Sequence, residues 1–255
     1  MGRLTDYPLL VFALSFIVMW LSAWLGARVL RPRLKLDENA REDFGLVLAA
    51  TLTLLGLIIG FSFSMATSRY DQRKNYEEAE ANAIGTEWVR ADLLPAADAA
   101  RVRVLLLDYT EQRILNYTTR DLGRVREIDA RTATLQADLW SAIRPAAKAN
   151  PTPVMALVVS GMNDVLNSQG YTQAAWWNRI PTSAVILMAA IAIGCNLLVG
   201  YGSPSVSPRN PLLAVLPLLV ALALTLIADI DTPRHGVIHV SPNNLTTLLQ
   251  SLRSS

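Results

Sequence analysis

The sequence predicts an all-α integral membrane protein with four transmembrane helices and a helical domain inserted between the second and the third. Hydrophobic residues make up 52% of the 255 residues, and the mean hydropathy is +0.30. Charged residues make up only 17%, against roughly 25% in ordinary soluble domains. Four uncharged apolar runs have about the length of roughly 20 residues that a helix needs to cross the hydrocarbon core of a bilayer.

These runs define the predicted spans and domain boundaries. The spans are predicted at about 9–27, 44–65, 182–201 and 212–228. The corresponding segments are 1–65 with the first two spans, 66–179 with the inserted helical domain, 180–228 with the last two spans, and 229–255 as a C-terminal tail packed on the inserted domain. For the first run a cleaved signal peptide is the alternative, because Arg3 precedes it, but the run exceeds the usual signal core of about 7–15 residues.

The inserted interval has the charge pattern of a solvated helical surface. Residues 66–179 hold 14 Lys and Arg and 14 Asp and Glu, a balance that argues against a nucleic-acid partner. No Gly or Pro interrupts residues 62–82, so the second span is predicted to continue as one helix from Phe44 to about Ile84. Pro145, Pro151 and Pro153 are predicted to close the helices before them, and a last helix is predicted at about 154–166.

Apolar residues in this interval recur at spacings of three and four, which predicts helices that bury one stripe. The predicted buried residues are Val102, Leu105, Leu106, Tyr109, Ile128, Thr132, Leu135, Leu139 and Ile143. The pair Trp176 and Trp177 precedes the third span, and we expect both rings in an interfacial belt.

Three residues of the second span project from one helix face. Thr53, Leu57 and Phe61 are four residues apart, which brings them onto one side of a helix. The spacing alone fits a helix packed in a bundle at least as well, with Gly56 and Gly60 allowing a neighbouring helix to approach closely.

A resemblance to a known family favours a pore. Gly60-Phe61, followed after seven residues by Arg69-Tyr70, resembles the second transmembrane helix of bestrophins, a family of ion channels. Together with the segments 80–85 and 229–233, the order of elements resembles a bacterial, bestrophin-like integral membrane family long listed as a domain of unknown function.

The resemblance implies a homo-oligomer, a pentamer in that family, that passes ions through the cell (inner) membrane with both termini and the inserted domain in the cytoplasm. By the same resemblance, the pore neck would fall on Thr53, Leu57 and Phe61, where Thr53 departs from the large apolar residue of the family. Apolar rings around a narrow axis gate ions by dewetting. Gly56, Gly60 and Ser64 are then pore-lining or helix-packing residues. The alternative is a non-conducting scaffold or sensor whose helical domain binds a partner.

Arg69 leaves the second span on the face where Asp229 and Asp231 leave the fourth. A charge near hydrocarbon is costly unless it is paired, so we predict a structural charge pair between Arg69 and one of the two aspartates. Independent snorkelling of each side chain toward water is the alternative.

The basic residues near the spans do not predict which side of the membrane each loop occupies. One side carries Arg3, Arg69, Arg73, Lys74, Arg179 and Arg234, and the other carries Arg28, Arg31, Arg33, Lys35, Arg41 and Arg209. With six basic residues on each side, the positive-inside rule gives no answer, and orientation depends on the resemblance.

The sequence contains no motif that predicts catalysis, a cofactor or a metal site. His235 and His239 have metal-ligand spacing, but Pro233 and Pro242 make a shared helix face improbable. No dense acidic cluster follows the fourth span, so the calcium clasp of animal bestrophins is not expected. We therefore expect no enzyme and no resident metal, with membrane lipid, permeating ions and further copies of the chain as partners.

Overall fold

A computed structural model describes residues 7–33, 37–203 and 210–254, and all regular structure in them is helical. The helices are α1 (Pro8–Leu25), α2 (Arg31–Arg33), α3 (Glu38–Arg90), α4 (Ala96–Thr118), α5 (Leu122–Ala149), α6 (Pro153–Trp177), α7 (Thr182–Tyr201), α8 (Val215–Asp231) and α9 (Asn243–Ser254). The predicted all-α fold is confirmed. Arg3, Lys35 and Arg209, which entered the charge count, lie outside the described residues.

Four helical stretches of the described chain are long and apolar enough to cross a membrane. They are Pro8–Arg33, Ala40–Leu93, Pro153–Tyr201 and Pro211–Asp231. The third predicted span coincides with α7, and α8 begins a few residues after the predicted start of the fourth because a 3₁₀ turn, Pro211–Ala214, precedes it. In the expected loop 28–43, the described residues are mostly helical, because α1 continues through a π-helical turn, Gly26–Leu30, into α2.

The contacts divide the chain into two compact units. The first, which we call the membrane unit, comprises Met1–Arg69 and Arg179–Ile238. All four apolar stretches contribute to its core, a cluster of buried residues formed by Met19, Leu55, Ala192, Cys195 and Val220. Within each span the helix bonds its own N–H and C=O groups, which a bilayer requires of a spanning segment.

A close approach between α7 and the first apolar stretch depends on two glycines. A Cβ added at Gly200 of α7 would overlap the backbone oxygen of Ala23, and one added at Gly26 would overlap the backbone oxygen of Leu197. Small residues permit such contact between membrane helices. The sequence pattern pointed instead to Gly56 and Gly60, where an added Cβ would meet nothing within 4 Å.

We expect Gly200→Ala to destabilise the protein by about 1–3 kcal/mol, because the added methyl group would force α1 and α7 apart. Gly194→Ala on the same helix is the matched control, since a Cβ there meets no other group within 4 Å. This control is expected to be neutral or slightly stabilising, because alanine favours helix over glycine. Thermal unfolding of the two variants in detergent compares them, and equal midpoints would contradict the close contact.

Helix α3 is one uninterrupted rod of 53 residues, about 80 Å long at 1.5 Å per residue. The prediction that the second span continues as a single helix is confirmed, although the helix extends beyond both expected ends. Residues up to Arg69 belong to the membrane unit, and residues from Tyr70 belong to the second unit.

The second unit, which we call the helical unit, comprises Tyr70–Asn178 and His239–Ser255. In it α4 packs against α5 and α9, and α5 packs against α6. The predicted stripes are confirmed, because Val102, Leu106 and Tyr109 of α4 are fully buried, as are Leu135, Leu139 and Ile143 of α5. Of the other predicted residues, Ile128 and Thr132 are buried as well, and Leu105 is half-buried.

Three details of the sequence interpretation were wrong. The helix predicted at about 154–166 continues through Gly170 to Trp177 as α6. Helix α5 continues past Pro145 to Ala149, because proline removes only one N–H from the helix ladder and the continued turn still places Ala146 in the core. Trp176 is not an interfacial ring, because it is buried in the helical unit and meets the ring of Tyr117 edge to face, with centroids 5.0 Å apart.

The C-terminal helix α9 is fixed to α3 by a buried carboxylate. The backbone N–H of Leu245 donates to Glu77 Oε1 at 3.0 Å, and Asn244 Nδ2 donates to Glu77 Oε2 at 2.6 Å. A carboxylate at a helix N-terminus satisfies free N–H groups and complements the helix dipole. Leu245 and Leu252 then bury themselves in the core of the helical unit.

Candidate functional site

The three predicted neck residues lie on an exposed face of α3 within the chain. Leu57 is 52% exposed and Phe61 63% exposed, and Thr53 is exposed as well. The Thr53 hydroxyl donates to the backbone oxygen of Ala49 at 2.9 Å, so its polar group is satisfied within the helix. No side chain of the trio is sealed inside the chain.

The other face of the same helix segment is packed. Leu55 is buried in the core of the membrane unit, and Leu52 and Ile59 pack against that core. Gly56, Gly60 and Ser64 lie on the exposed side, and the two glycines have open space where a side chain would be. One face of the helix therefore packs inside the chain. A second face, made of apolar and small residues, is exposed.

The second apolar stretch is the least buried of the four. Within its apolar window 6% of the residues are buried in the chain, compared with 22% in the first stretch and 28% in each of the last two. Phe and Leu side chains in such a window face lipid, another copy of the chain, or a shared axis.

The two aspartates at the end of α8 are held by backbone N–H groups. Asp229, which is buried, accepts from the N–H of Val237 at 2.7 Å and of Ile238 at 2.8 Å. Asp231 accepts from the N–H of Ile180, at 3.0 Å for Oδ2. Hydrogen bonds to a charged acceptor are among the stronger ones, so these bonds offset the cost of placing carboxylates at the end of a span.

Gly236 makes the loop around Asp229 possible. A Cβ at Gly236 would lie 2.6 Å from the backbone oxygen of Asp229 and 3.1 Å from its Oδ1. Residue types do not reveal this arrangement, because the donors are backbone atoms in an irregular loop. Pro233 and Gly236, which follow Asp231, were the available signal.

Arg69 is half-buried, and its Nε and Nη1 atoms have no hydrogen-bond partner within the described part of the chain. Its charge pair with Asp229 or Asp231 stays a prediction.

A buried charge network in the helical unit was not anticipated from the sequence. Arg113 Nε donates to Glu80 Oε1 in an ion pair whose side chains are 2% and 0% exposed. Thr172 Oγ1 donates to Glu80 Oε2 at 3.2 Å, and the Tyr117 hydroxyl donates to the same oxygen at 3.4 Å. The network thus joins α3, α4 and α6 through one carboxylate.

Charges on α3 repeat at helical spacing, and this was the signal for the network. Arg73, Glu77, Glu80 and Glu87 are separated by four, three and seven residues, the spacing of one helix face, and all four are buried. Charged residues are rarely buried unless they are paired. These charges lie on the same face of α3 as the buried core residue Ile84. Charges on a core-facing side of a helix therefore indicate a network of ion pairs inside the unit.

The network shifts the protonation equilibria of its members. Burial alone would lower the pKa of Arg113, but the charge of Glu80 raises it above its ordinary value. Burial, and then the charge of Glu80, raise the pKa of Tyr117 well above its usual range. Arg113 therefore stays charged and Tyr117 stays neutral at physiological pH.

The described residues include no group of three or more His, Cys, Asp or Glu side chains arranged to hold a metal ion. His235 lies in a non-helical segment and stacks on Tyr7, with ring centroids 6.4 Å apart.

Four apolar helical stretches and an inserted helical unit define a multi-pass membrane protein. The chain belongs to the Bestrophin-like family, since the model of the Bestrophin-like domain matches residues 12–245. The recognition made from the motif around Gly60 and Arg69 is confirmed. Among curated protein sequences, none matches this chain.

Solved structures share the fold over the whole chain. A bacterial Bestrophin homolog from Klebsiella pneumoniae is similar with a TM-score of 0.65 and 13% identity, covering 96% of this chain and 97% of that one. Two single-substitution variants of that homolog give TM-scores of 0.65 and 0.67, with 14% and 13% identity. They cover 97% and 100% of this chain and 98% of each of theirs. At such identities the likeness shows the fold alone.

Proposed function

We propose that the protein is an oligomeric ion channel of the bacterial cell membrane, a pentamer by family resemblance, in which α3 lines the axis. Thr53, Leu57 and Phe61 form the neck. The observation that carries this proposal is the outward face of α3, where bulky apolar side chains remain exposed while the opposite face packs into the membrane unit.

The small residues on the outward side support an oligomer. Gly56, Gly60 and Ser64 follow one another at intervals of four, the spacing that permits close helix contact in membranes. The chain itself places nothing against the two glycines. Neighbouring copies of α3 around an axis would fill that space and would turn Leu57 and Phe61 toward a common centre.

In this arrangement the neck controls ions by its lack of polar groups. A ring of Leu57 and Phe61 side chains offers water few hydrogen bonds, so a narrow constriction empties and blocks ions until it widens. The positive edge of each Phe61 ring tolerates an anion in passage. Both termini and the helical unit lie on the cytoplasmic side in this proposal.

Purified protein in liposomes tests the function. We expect ion flux down an imposed salt gradient in protein-containing liposomes and none in protein-free liposomes of the same lipid. Native mass spectrometry of the detergent-solubilised complex is expected to give five copies. A monomer, or an oligomer without flux under any ion gradient, would contradict the channel and favour a membrane scaffold.

A further inference from the structure

The helical unit contains a buried carboxyl group that the proposed channel does not use. Glu87, in the last turn of α3, is fully buried, and neither of its side-chain oxygens has a hydrogen-bond partner within the described residues. An ionised carboxylate in such a place has lost its water without gaining a hydrogen bond, which favours the neutral acid.

The contact with α6 leaves room for this side chain and for little else. A Cβ added at Gly161 would overlap both Glu87 Oε2 and Arg90 Nη1. Val158, Met162 and other α6 residues on the same side are buried in the core. The carboxyl group thus lies against the α6 backbone at a position where only glycine fits.

The nearest charge is the guanidinium of Arg90, whose Nη1 lies beside Glu87 Oε2 at the contact with Gly161. Burial raises the pKa of Glu87 from 4.5 to about 8; the positive charge of Arg90, on the same helix, lowers it, and the negative charge of Asp164 on α6 raises it. In the turn after α3, Asp92 is paired with Arg103. Glu87 is therefore largely neutral at pH 7.

We propose that Glu87 is a proton-binding site that controls the contact between α3 and α6. With its proton, the side chain packs against Gly161. Without the proton, the charge draws water into the contact and α6 loosens from α3. This inference concerns the helical unit by itself and holds whether or not the protein conducts ions.

The sign of the pH effect follows from the direction of the shift. Between pH 4.5 and about 8 the folded protein keeps this proton while the unfolded chain has lost it. The free energy of unfolding therefore falls as pH rises through that window, and this contribution levels off above it. Within the folded state, α6 loosens around pH 8.

Infrared spectroscopy of the full-length protein in detergent tests the proton directly. We expect the carbonyl band of a protonated carboxyl group at pH 6.5, with loss of the band at a midpoint near pH 8. Glu87→Gln should remove this component. Glu78→Gln, at an exposed position of the same helix, should leave it unchanged. A wild-type spectrum without the band, or a band that survives Glu87→Gln, would overturn the proposal.

Hydrogen exchange tests the loosening. After correction for the intrinsic rate, the amides of α6 are expected to exchange faster at pH 9 than at pH 7 in the wild type and equally at both in Glu87→Gln. If Glu87→Gln does not fold, Asp164→Asn is the second variant, because it keeps Glu87 and removes a charge that raises its pKa. Its midpoint should shift to lower pH. The proposal would be refuted if Asp164→Asn left the titration midpoint of Glu87 unshifted. It would also be refuted if the corrected exchange rates of the α6 amides in the wild type did not change with pH.

Discussion

Replacing Arg113 with methionine, with Glu80 left in place, is expected to destabilise the protein by about 3–5 kcal/mol, the loss typical of a buried ion pair deprived of one partner. The side chain of Glu80 is 0% exposed. Without the guanidinium, its charge would keep only the neutral donors Thr172 and Tyr117. Methionine keeps an unbranched apolar stem, so the main change is the loss of the charge and of its hydrogen bond to Glu80.

The matched control is Arg131→Met. Arg131 Nη2 pairs with Asp108 between α4 and α5, but both side chains are substantially exposed. An exposed pair contributes about 0–1 kcal/mol, so this variant should unfold near the wild type. Denaturant unfolding in detergent, followed by circular dichroism, compares the two.

A double variant separates charge from packing. Glu80→Gln combined with Arg113→Met removes both charges and should recover much of the stability lost in Arg113→Met alone, because no unpaired charge remains buried. If Arg113→Met cost no more than Arg131→Met, the network would not hold the three helices together.

The second large effect is expected at the neck. Replacing Leu57 and Phe61 together with alanine should raise ion flux in liposomes several-fold, since the shorter side chains widen and wet the constriction. Phe63→Ala is the control, because Phe63 belongs to the same helix and is also exposed but faces nearly the opposite way from Phe61. Flux that is unchanged in Leu57→Ala/Phe61→Ala, or raised equally by Phe63→Ala, would count against a neck at these residues.

The sequence was sufficient for features that depend on local pattern. The spans and the stripes of α4 and α5 follow from hydropathy and from spacings of three and four, which each segment carries by itself. The uninterrupted α3 follows equally from the absence of Gly and Pro between residues 62 and 82. These features require no knowledge of what the helix touches.

Features that depend on contacts between distant segments were missed. Gly26 and Gly200 are 174 positions apart, and only the fold shows that α1 and α7 meet there. Glu80 and Arg113 each appear in the sequence as one more surface charge. The donors to Asp229 are backbone atoms of an irregular loop, which residue types do not reveal.

The residues proposed for the neck depend both on local spacing and on contacts between segments. Spacing placed Thr53, Leu57 and Phe61 on one face, and the fold leaves that face exposed. A single chain does not contain the group that this face meets. Gly56 and Gly60 likewise meet nothing within the described part of the chain; in the proposed oligomer, another copy would pack there.

Thiol accessibility tests the central claim most directly. In a Cys195→Ala background, which removes the chain's one cysteine, Phe61→Cys would be treated in liposomes with a membrane-impermeant thiol reagent. Leu222→Cys, an exposed position in the middle of α8, serves as the lipid-facing control. If α3 lines a conduit, the thiol at position 61 reacts and flux falls, while the thiol at position 222 stays unmodified. If both thiols stay unmodified and flux is unchanged, Phe61 does not face a water-filled conduit and the pore assignment is wrong.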